Sequence, residues 1–234
     1  MFMLRTRFSV SLAISWASSF VMESIPWYNG CDRTVPVDAD PDELDSLAGA
    51  VREAFDAAGV GLLTMQTRAV FPNRFNELLE EHGSKGAALS HLTLDLVAEL
   101  MQPIGDGSIT VVCDKHGGRN RYAGLLAEHF PDALMEIYDE GARRSVYRFG
   151  PARRRVEIRF ERKAETHLPV ALASMASKYF RELAMKSLNR FWCERVPGLK
   201  PTAGYPQDAK RFKEDIAAVQ DELEIKDRIL WRNK

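Results

Sequence analysis

Residues 163–178 read Lys-Ala-Glu-Thr-His-Leu-Pro-Val-Ala-Leu-Ala-Ser-Met-Ala-Ser-Lys. The stretch ends a charged, strand-like segment on Glu165 and opens a long helix through Leu168 and Pro169. Proline is tolerated at that point because the first helical N–H has no partner within the helix. Ser174, Lys178 and Arg181 then recur at i, i+4 and i+7, which puts them on one helix face. A strand that hands an acid to a helix is an α/β junction. A carboxylate, a hydroxyl and two cations around one helix start suit a phosphodiester, although the same residues also describe the wet face of a surface helix.

Working upstream, residues 155–163 and Arg144–Phe149 alternate basic and apolar side chains around Gly150-Pro151, the pattern of a hairpin. Residues 134–139 read as a further strand. The β-branched run at 108–113 forms another and delivers Asp114 at its end, where ligand chemistry lies in open α/β sheets. Asp40-Pro41-Asp42-Glu43 is a helix start with a capping Asp, followed by an apolar stripe of Leu44, Leu47, Val51 and Phe55 and a stop at Gly59. Residues 60–70 read as a strand and 74–81 as a short helix. Lys85–Met101 reads as a longer helix burying Leu89, Leu92, Leu96 and Leu100, and 121–130 as a third. The helix entered at Leu168 runs to about residue 195. Gly204-Tyr205-Pro206 opens a last one, with Phe212, Ile216, Val219 and Leu223 as its core face. The order αβααβαβββαα predicts an α/β domain.

The 234 residues fit an N-terminal segment, 1–36, and one domain, 37–234. A net charge of −1 gives no global basic field, so any nucleic-acid surface must be local. The cluster Arg143, Arg144, Arg148, Arg153, Arg154 and Arg155, continued by Arg159, Arg162 and Lys163, is that candidate, and a solvated hairpin explains it equally well. Residues 8–21 follow Arg5 and Arg7 and are apolar but diluted by Ser and Ala. They read as a packed element ahead of an exported leader, and as too short and polar for a membrane span. Cys31, Cys113 and Cys193 show no zinc spacing and read as reduced thiols of a cytoplasmic protein. Gly117-Gly118-Arg119 lacks the Lys-Ser/Thr of a phosphate-binding P-loop, and no nucleophile elbow occurs.

Asp114 and Glu165 end neighbouring strands, where two carboxylates can share divalent cations and activate water. Mg²⁺ takes oxygen ligands and keeps several waters, so few protein acids are required. His116, beside two glycines, reads as an exposed loop histidine, with a base or ligand-orienting role as the alternative. His82, His91, His129 and His167 find no partner in the sequence pattern.

Taken in order, several of these segments resemble the ribonuclease HII family, the type 2 ribonucleases H. Val111-Val112-Cys113-Asp114 with its glycine turn, Tyr122 and Phe130-Pro131 looks like the family strand bearing a catalytic aspartate. Lys163-Ala164-Glu165 resembles the Lys-Ala-Asp that follows, with Glu in place of Asp. Residues 173–178 match the Ala-Ser-x-x-Ala-Lys helix start, and Arg181-Glu182 its Arg-Asp. Leu89-Ser90-His91 resembles the family's Leu-Ser-His helix, and residues 203–210 its Gly-Tyr-Pro-x-Asp-x-Lys segment. Cover runs over residues 60–210. The family's opening Asp-Glu-x-Gly-Arg-Gly strand has no counterpart in 1–59.

The resemblance implies a ribonuclease H-like mixed sheet with helices on both faces, lacking the family's first central strand unless residues 8–16 fill the gap. It implies an endonuclease dependent on Mg²⁺ or Mn²⁺ that cleaves RNA in RNA–DNA hybrids or at a ribonucleotide embedded in DNA. Asp114 and Glu165 would hold the metal. Lys163, Ser174 and Lys178 would lie near the scissile phosphate, and Tyr205 at the junction nucleotide. A relative that binds nucleic acid without cleaving it is the alternative, because half of the family's acids are missing.

Overall fold

Apolar residues at every second position of 144–160 set the strand pairing. β3 (Arg144–Phe149) and β4 (Val156–Glu161) are antiparallel, from Arg144 opposite Glu161 to Phe149 opposite Val156. β1 (Ile109–Asp114) runs parallel to β4, with Asp114 level with Glu161. β2 (Glu136–Glu140) lies antiparallel on the other side of β3, with an irregularity between Ile137 and Asp139. The sheet order is β1-β4-β3-β2. This computed structural model describes residues 25–29 and 40–233; the expected element at 8–16 and Cys31 lie outside them.

The architecture is α/β, a four-stranded mixed sheet flanked by helices. Two helices come first. α1 (Pro41–Ala58) is capped by the Asp40 carboxylate, which accepts the Asp42 N–H at 2.9 Å, and it stops at Gly59 in the left-handed region. α2 (Pro72–His82) stops the same way at Gly83. α3 (Lys85–Met101) starts on Ser84, whose hydroxyl accepts the Ala87 N–H at 3.1 Å. α4 (Ala123–His129) follows β1. Leu94, Val97 and Met101 of α3, with Tyr122, Leu125 and Leu126 at α4, pack on Tyr147, Phe149, Val156, Ile158 and Phe160 to form the core on one face of the sheet.

The opposite face is charged. Glu157 accepts from both Arg148 and Arg159, and Arg144 pairs with Asp139 at 2.8 Å. Beside them Arg155 meets Glu136 at 2.5 Å. Burial of Glu157 alone would raise its carboxyl, but the two guanidiniums outweigh this and hold it below the usual carboxylate range.

After β4 the chain turns through a 3₁₀ segment, Ala164–Thr166, into α5 (Leu168–Cys193). α6 (Pro206–Glu222) and α7 (Asp227–Leu230) complete the described chain. Two compact units divide it, Met1–Ala69 with Leu183–Ile216, and Val70–Glu182 with Ala217–Lys234. The second holds the whole sheet. In the first, Trp192, Phe212 and Ile216 are fully buried and Trp27 packs edge-on to Phe191.

Four expectations are corrected. Residues 60–70 are not a strand but an irregular segment with one bridge residue at position 64. Val60 and Leu63 are half-exposed there, and a strand without a ladder has no place for its N–H and C=O groups. The buried face of α3 is Ser90, Leu94, Val97 and Met101, whereas Leu89 is half-exposed. The helix is apolar nearly all round, so its periodicity does not choose a face. On α1, Leu47 and Val51 of the expected stripe are exposed among the described residues. On α6, Leu223 is exposed, and Gln220 is buried through bonds to the Ile225 carbonyl and the Asp227 carboxylate.

Candidate functional site

The parallel register brings the C-terminal ends of β1 and β4 side by side, so Asp114 and Glu161 emerge together. Asp114 is exposed, and its Oδ1 accepts the Ala164 N–H at 3.3 Å. This bond docks the turn after β4, and with it Glu165, next to the end of β1. The carboxylate of Glu165 accepts the Ser174 hydroxyl at 2.8 Å. The turn that carries Glu165 therefore lies at the end of β1, and Ser174 on α5 holds the Glu165 carboxylate. Glu161, which the sequence did not single out, joins them, and His167 finds its partner there at 3.1 Å.

Lys163 adopts φ 60, ψ 42, a left-handed conformation costly for a residue with a Cβ. Neither its ammonium nor the side chains of Arg143, Arg162 and Lys178 make an ion pair or hydrogen bond among the described residues, and all four are exposed. Arg119, in the turn after β1, lies over the Tyr122 ring and also has no carboxylate partner among them. The strand-end edge thus carries cations without carboxylate partners among the described residues, while the arginines on the sheet face are neutralised by Glu157 and Asp139.

The turn after β1 is more firmly built than its glycines suggest. Lys115 Nζ shares its three N–H groups among four acceptors, the Gly141 carbonyl at 2.8 Å, Ser145 Oγ and Asn120 Oδ1 at 3.0 Å and the Arg119 carbonyl at 3.3 Å. The His116 N–H donates to the Tyr122 hydroxyl at 3.0 Å, and the Tyr122 N–H to the Tyr147 hydroxyl at 2.8 Å. Tyr147 in turn donates to Glu140 at 2.6 Å, and the Tyr122 ring stacks on Phe160 with centroids 3.7 Å apart.

His116 is buried, not the exposed loop histidine expected from its two glycines. Ser90 donates to the Gly86 carbonyl at 2.7 Å, so its oxygen is left to accept His116 Nδ1–H at 2.9 Å. That tautomer leaves Nε2 as the acceptor nitrogen. Burial first, then the Arg119 charge, lowers His116 to about 4, with Asp114 pulling the other way. The buried Ser90–His116 pair was legible only as a motif fragment, because a serine on the buried face of an apolar helix asks for a partner that sequence spacing cannot name.

Magnesium or manganese is a poor fit to these residues as a resident two-ion centre. Two carboxylates, each already accepting a hydrogen bond, supply few ligands, and no three His, Cys, Asp or Glu side chains among the described residues stand close enough to hold a metal.

Tyr205 belongs to the other unit. Asp208 accepts from the Thr202 hydroxyl, from the Ala203 N–H at 2.8 Å and from Arg211 at 2.7 Å. Gly204, at φ 74, donates to Thr202 Oγ1 at 3.0 Å. The Thr202 bond first, then Arg211 and the Ala203 N–H, hold the Asp208 carboxyl down at about 2. On this knotted turn Tyr205 stands two-thirds exposed. No helix among the described residues is long and apolar enough to cross a membrane. No family model, curated protein or solved structure matches the chain, so its likeness to the type 2 ribonucleases H rests on motif order alone.

Proposed function

We propose that this chain is a ribonuclease HII-like protein that binds RNA–DNA hybrid duplexes on the strand-end edge of a ribonuclease H-type sheet. One observation carries the reading. In a chain of net charge −1, Arg119, Arg143, Arg162 and Lys163 are without carboxylate partners among the described residues, at the edge that also bears Asp114 and the turn of Glu165. Unpaired cations at a strand end are suited to phosphate oxygens, which dominate nucleic-acid affinity. Lys178 lies on the helix that leaves this edge. A-form hybrids are read by backbone shape and the 2′-hydroxyl, which needs no base-reading motif. Tyr205, exposed on a rigid turn, suits stacking on a base. The free thiols of Cys113 and Cys193 suit a cytoplasmic setting.

Hydrolysis of the hybrid is the second reading, favoured by the Ala164 N–H bond to Asp114, one residue before Glu165. A labelled hybrid duplex, and a DNA duplex with one embedded ribonucleotide, incubated with Mg²⁺ or Mn²⁺, separate the two. Retained binding without cleavage is the expected result. Cleavage that Asp114→Asn abolishes would make the protein a nuclease, and failure to bind either duplex would end both readings.

A further inference from the structure

The run Arg153-Arg154-Arg155, in the turn between β3 and β4, sends its guanidiniums to different partners. Arg153 meets Asp106 at 3.8 Å and Arg155 meets Glu136 at 2.5 Å. Arg154, between them, has no carboxylate partner among the described residues. Its Nη2 donates to the Met101 carbonyl at 2.6 Å, and its Nε is buried without a partner. The first contact is a helix cap, because Met101 is the last residue of α3 and the final carbonyls of a helix have no partner within it. The cap uses one N–H. It leaves the buried Nε–H unmet, which native proteins seldom do.

The same side chain lines a cavity of about 460 Å³, a size that holds small organic ligands. Ala98 and Met101 of α3, Phe130 just past α4, and Pro151 and Val156 at the turn supply its apolar walls. All of them belong to the unit that holds the sheet. His129 also lines it, with both ring nitrogens already engaged by His91 and Asp95. Arg154 alone among the lining residues carries a permanent charge. Backbone contacts fix the turn that presents it. The Gly107 N–H donates to the Arg153 carbonyl at 2.8 Å and the Ile109 N–H to the Arg155 carbonyl at 2.9 Å. At Gly150, φ 85, a Cβ would stand 2.7 Å from the Arg154 carbonyl, so the chain passes there only as glycine.

We propose that this cavity binds a small aromatic monocarboxylate, its ring against Phe130 and Met101 and its carboxylate on Arg154. A charged oxygen supplies the acceptor that the Nε–H lacks and the counter-charge that the guanidinium lacks. Because Nε is closed to water, the guanidinium turns toward the cavity to meet it. One guanidinium balances one negative charge, whereas a phosphate dianion would bring a second among apolar walls with nothing to offset it. Phenyl and thioether walls favour a flat ring as the body. The site lies at the Gly150 end of the sheet, opposite the strand ends that carry Asp114, and stands independently of the nucleic-acid reading.

The test titrates two probes, 2-naphthoate and its neutral analogue 2-naphthylmethanol, into the full chain while amide NMR shifts are followed. Naphthoate should move the amides of residues 98–102 and 152–156 and bind at least tenfold more tightly than the alcohol. Arg154→Met should abolish that preference and leave the affinity for the alcohol unchanged, which the loss of a helix cap alone would not do. Ala98→Met, which fills the cavity from α3, should weaken both probes at least tenfold at an unchanged melting temperature. Absence of shifts at these residues in millimolar naphthoate, equal affinity for the two probes, an undiminished preference in folded Arg154→Met, or unchanged binding by Ala98→Met would each overturn the proposal.

Discussion

The two faces of the sheet solve different problems with the same strands. On one, Phe160, Ile158 and Tyr147 are fully buried under α3 and α4, and the polar groups that remain are closed into short chains such as Tyr147 to Glu140. On the other, alternate residues of β3 and β4 form a circuit in which Glu157 serves two arginines. Apolar burial stabilises by area, whereas a half-exposed ion pair contributes little because water competes for both charges. The charged face therefore keeps the sheet wet on that side and occupies its arginines. Within the basic cluster seen in the sequence, Arg143, Arg162 and Lys163 at the strand ends are without carboxylate partners among the described residues, whereas Arg144, Arg148, Arg155 and Arg159 on the face are paired.

The largest difference between the faces should appear on truncation. Phe160→Ala is expected to lower stability by about 3–5 kcal/mol in urea unfolding, because it empties the site that Tyr122 stacks on. Arg148→Ala, on the other face, is expected to lower it far less, since Arg159 still serves Glu157. Equal losses would erase the distinction.

The covered face should also own the acid sensitivity. His116 is lowered from about 6.5 to about 4, so the unfolded chain binds its proton first as pH falls. Its contribution is complete above about pH 6.5 and lost on the way down to about 4, roughly 3 kcal/mol over that window. His91, lowered by burial and its histidine neighbours, adds to the loss with the same sign. Unfolding free energies measured from pH 7.5 to 4 should fall steadily, and less steeply in His116→Gln. An unchanged slope in that variant would remove His116 from the account.

Smaller again is the pin that joins covered face to edge. Lys115→Met strips the ammonium donors from four acceptors around the turn after β1 and should cost about 2 kcal/mol. It should also speed amide exchange in residues 115–120. Loss of stability without that local effect would mean that Lys115 acts elsewhere.

Local chemistry made much of this legible in the sequence. The Asp40 cap, the Gly59 stop and the hairpin at Gly150 follow from residue type, because each answers a backbone demand within a few positions. Asp114 was legible as a strand end and Ser174 as a residue of the helix start, whereas Glu165, expected to end a strand, lies in the 3₁₀ turn four residues past the end of β4 at Glu161. What failed depends on distant partners. Residues 60–70 have the composition of a strand but lack the neighbouring ladder that would make them one. The apolar surround of α3 hid its buried face until Ser90 met His116 from a turn 26 residues away. Which arginines are free is likewise a tertiary fact, decided by the register that sets Glu157 opposite Arg148.

The central claim is that the edge, and not the charged face, meets the hybrid. Its most direct test is the affinity for an RNA–DNA hybrid as salt is raised, for two triple variants beside the wild-type chain. Arg143→Ala, Arg162→Ala and Lys163→Ala together should weaken binding at least tenfold and flatten the salt dependence by roughly one unit of slope per lost phosphate contact. Arg144→Ala, Arg148→Ala and Arg159→Ala together should leave both nearly unchanged, although they remove the same formal charge. Equal weakening by the two variants, or weakening by the face variant alone, would contradict the claim.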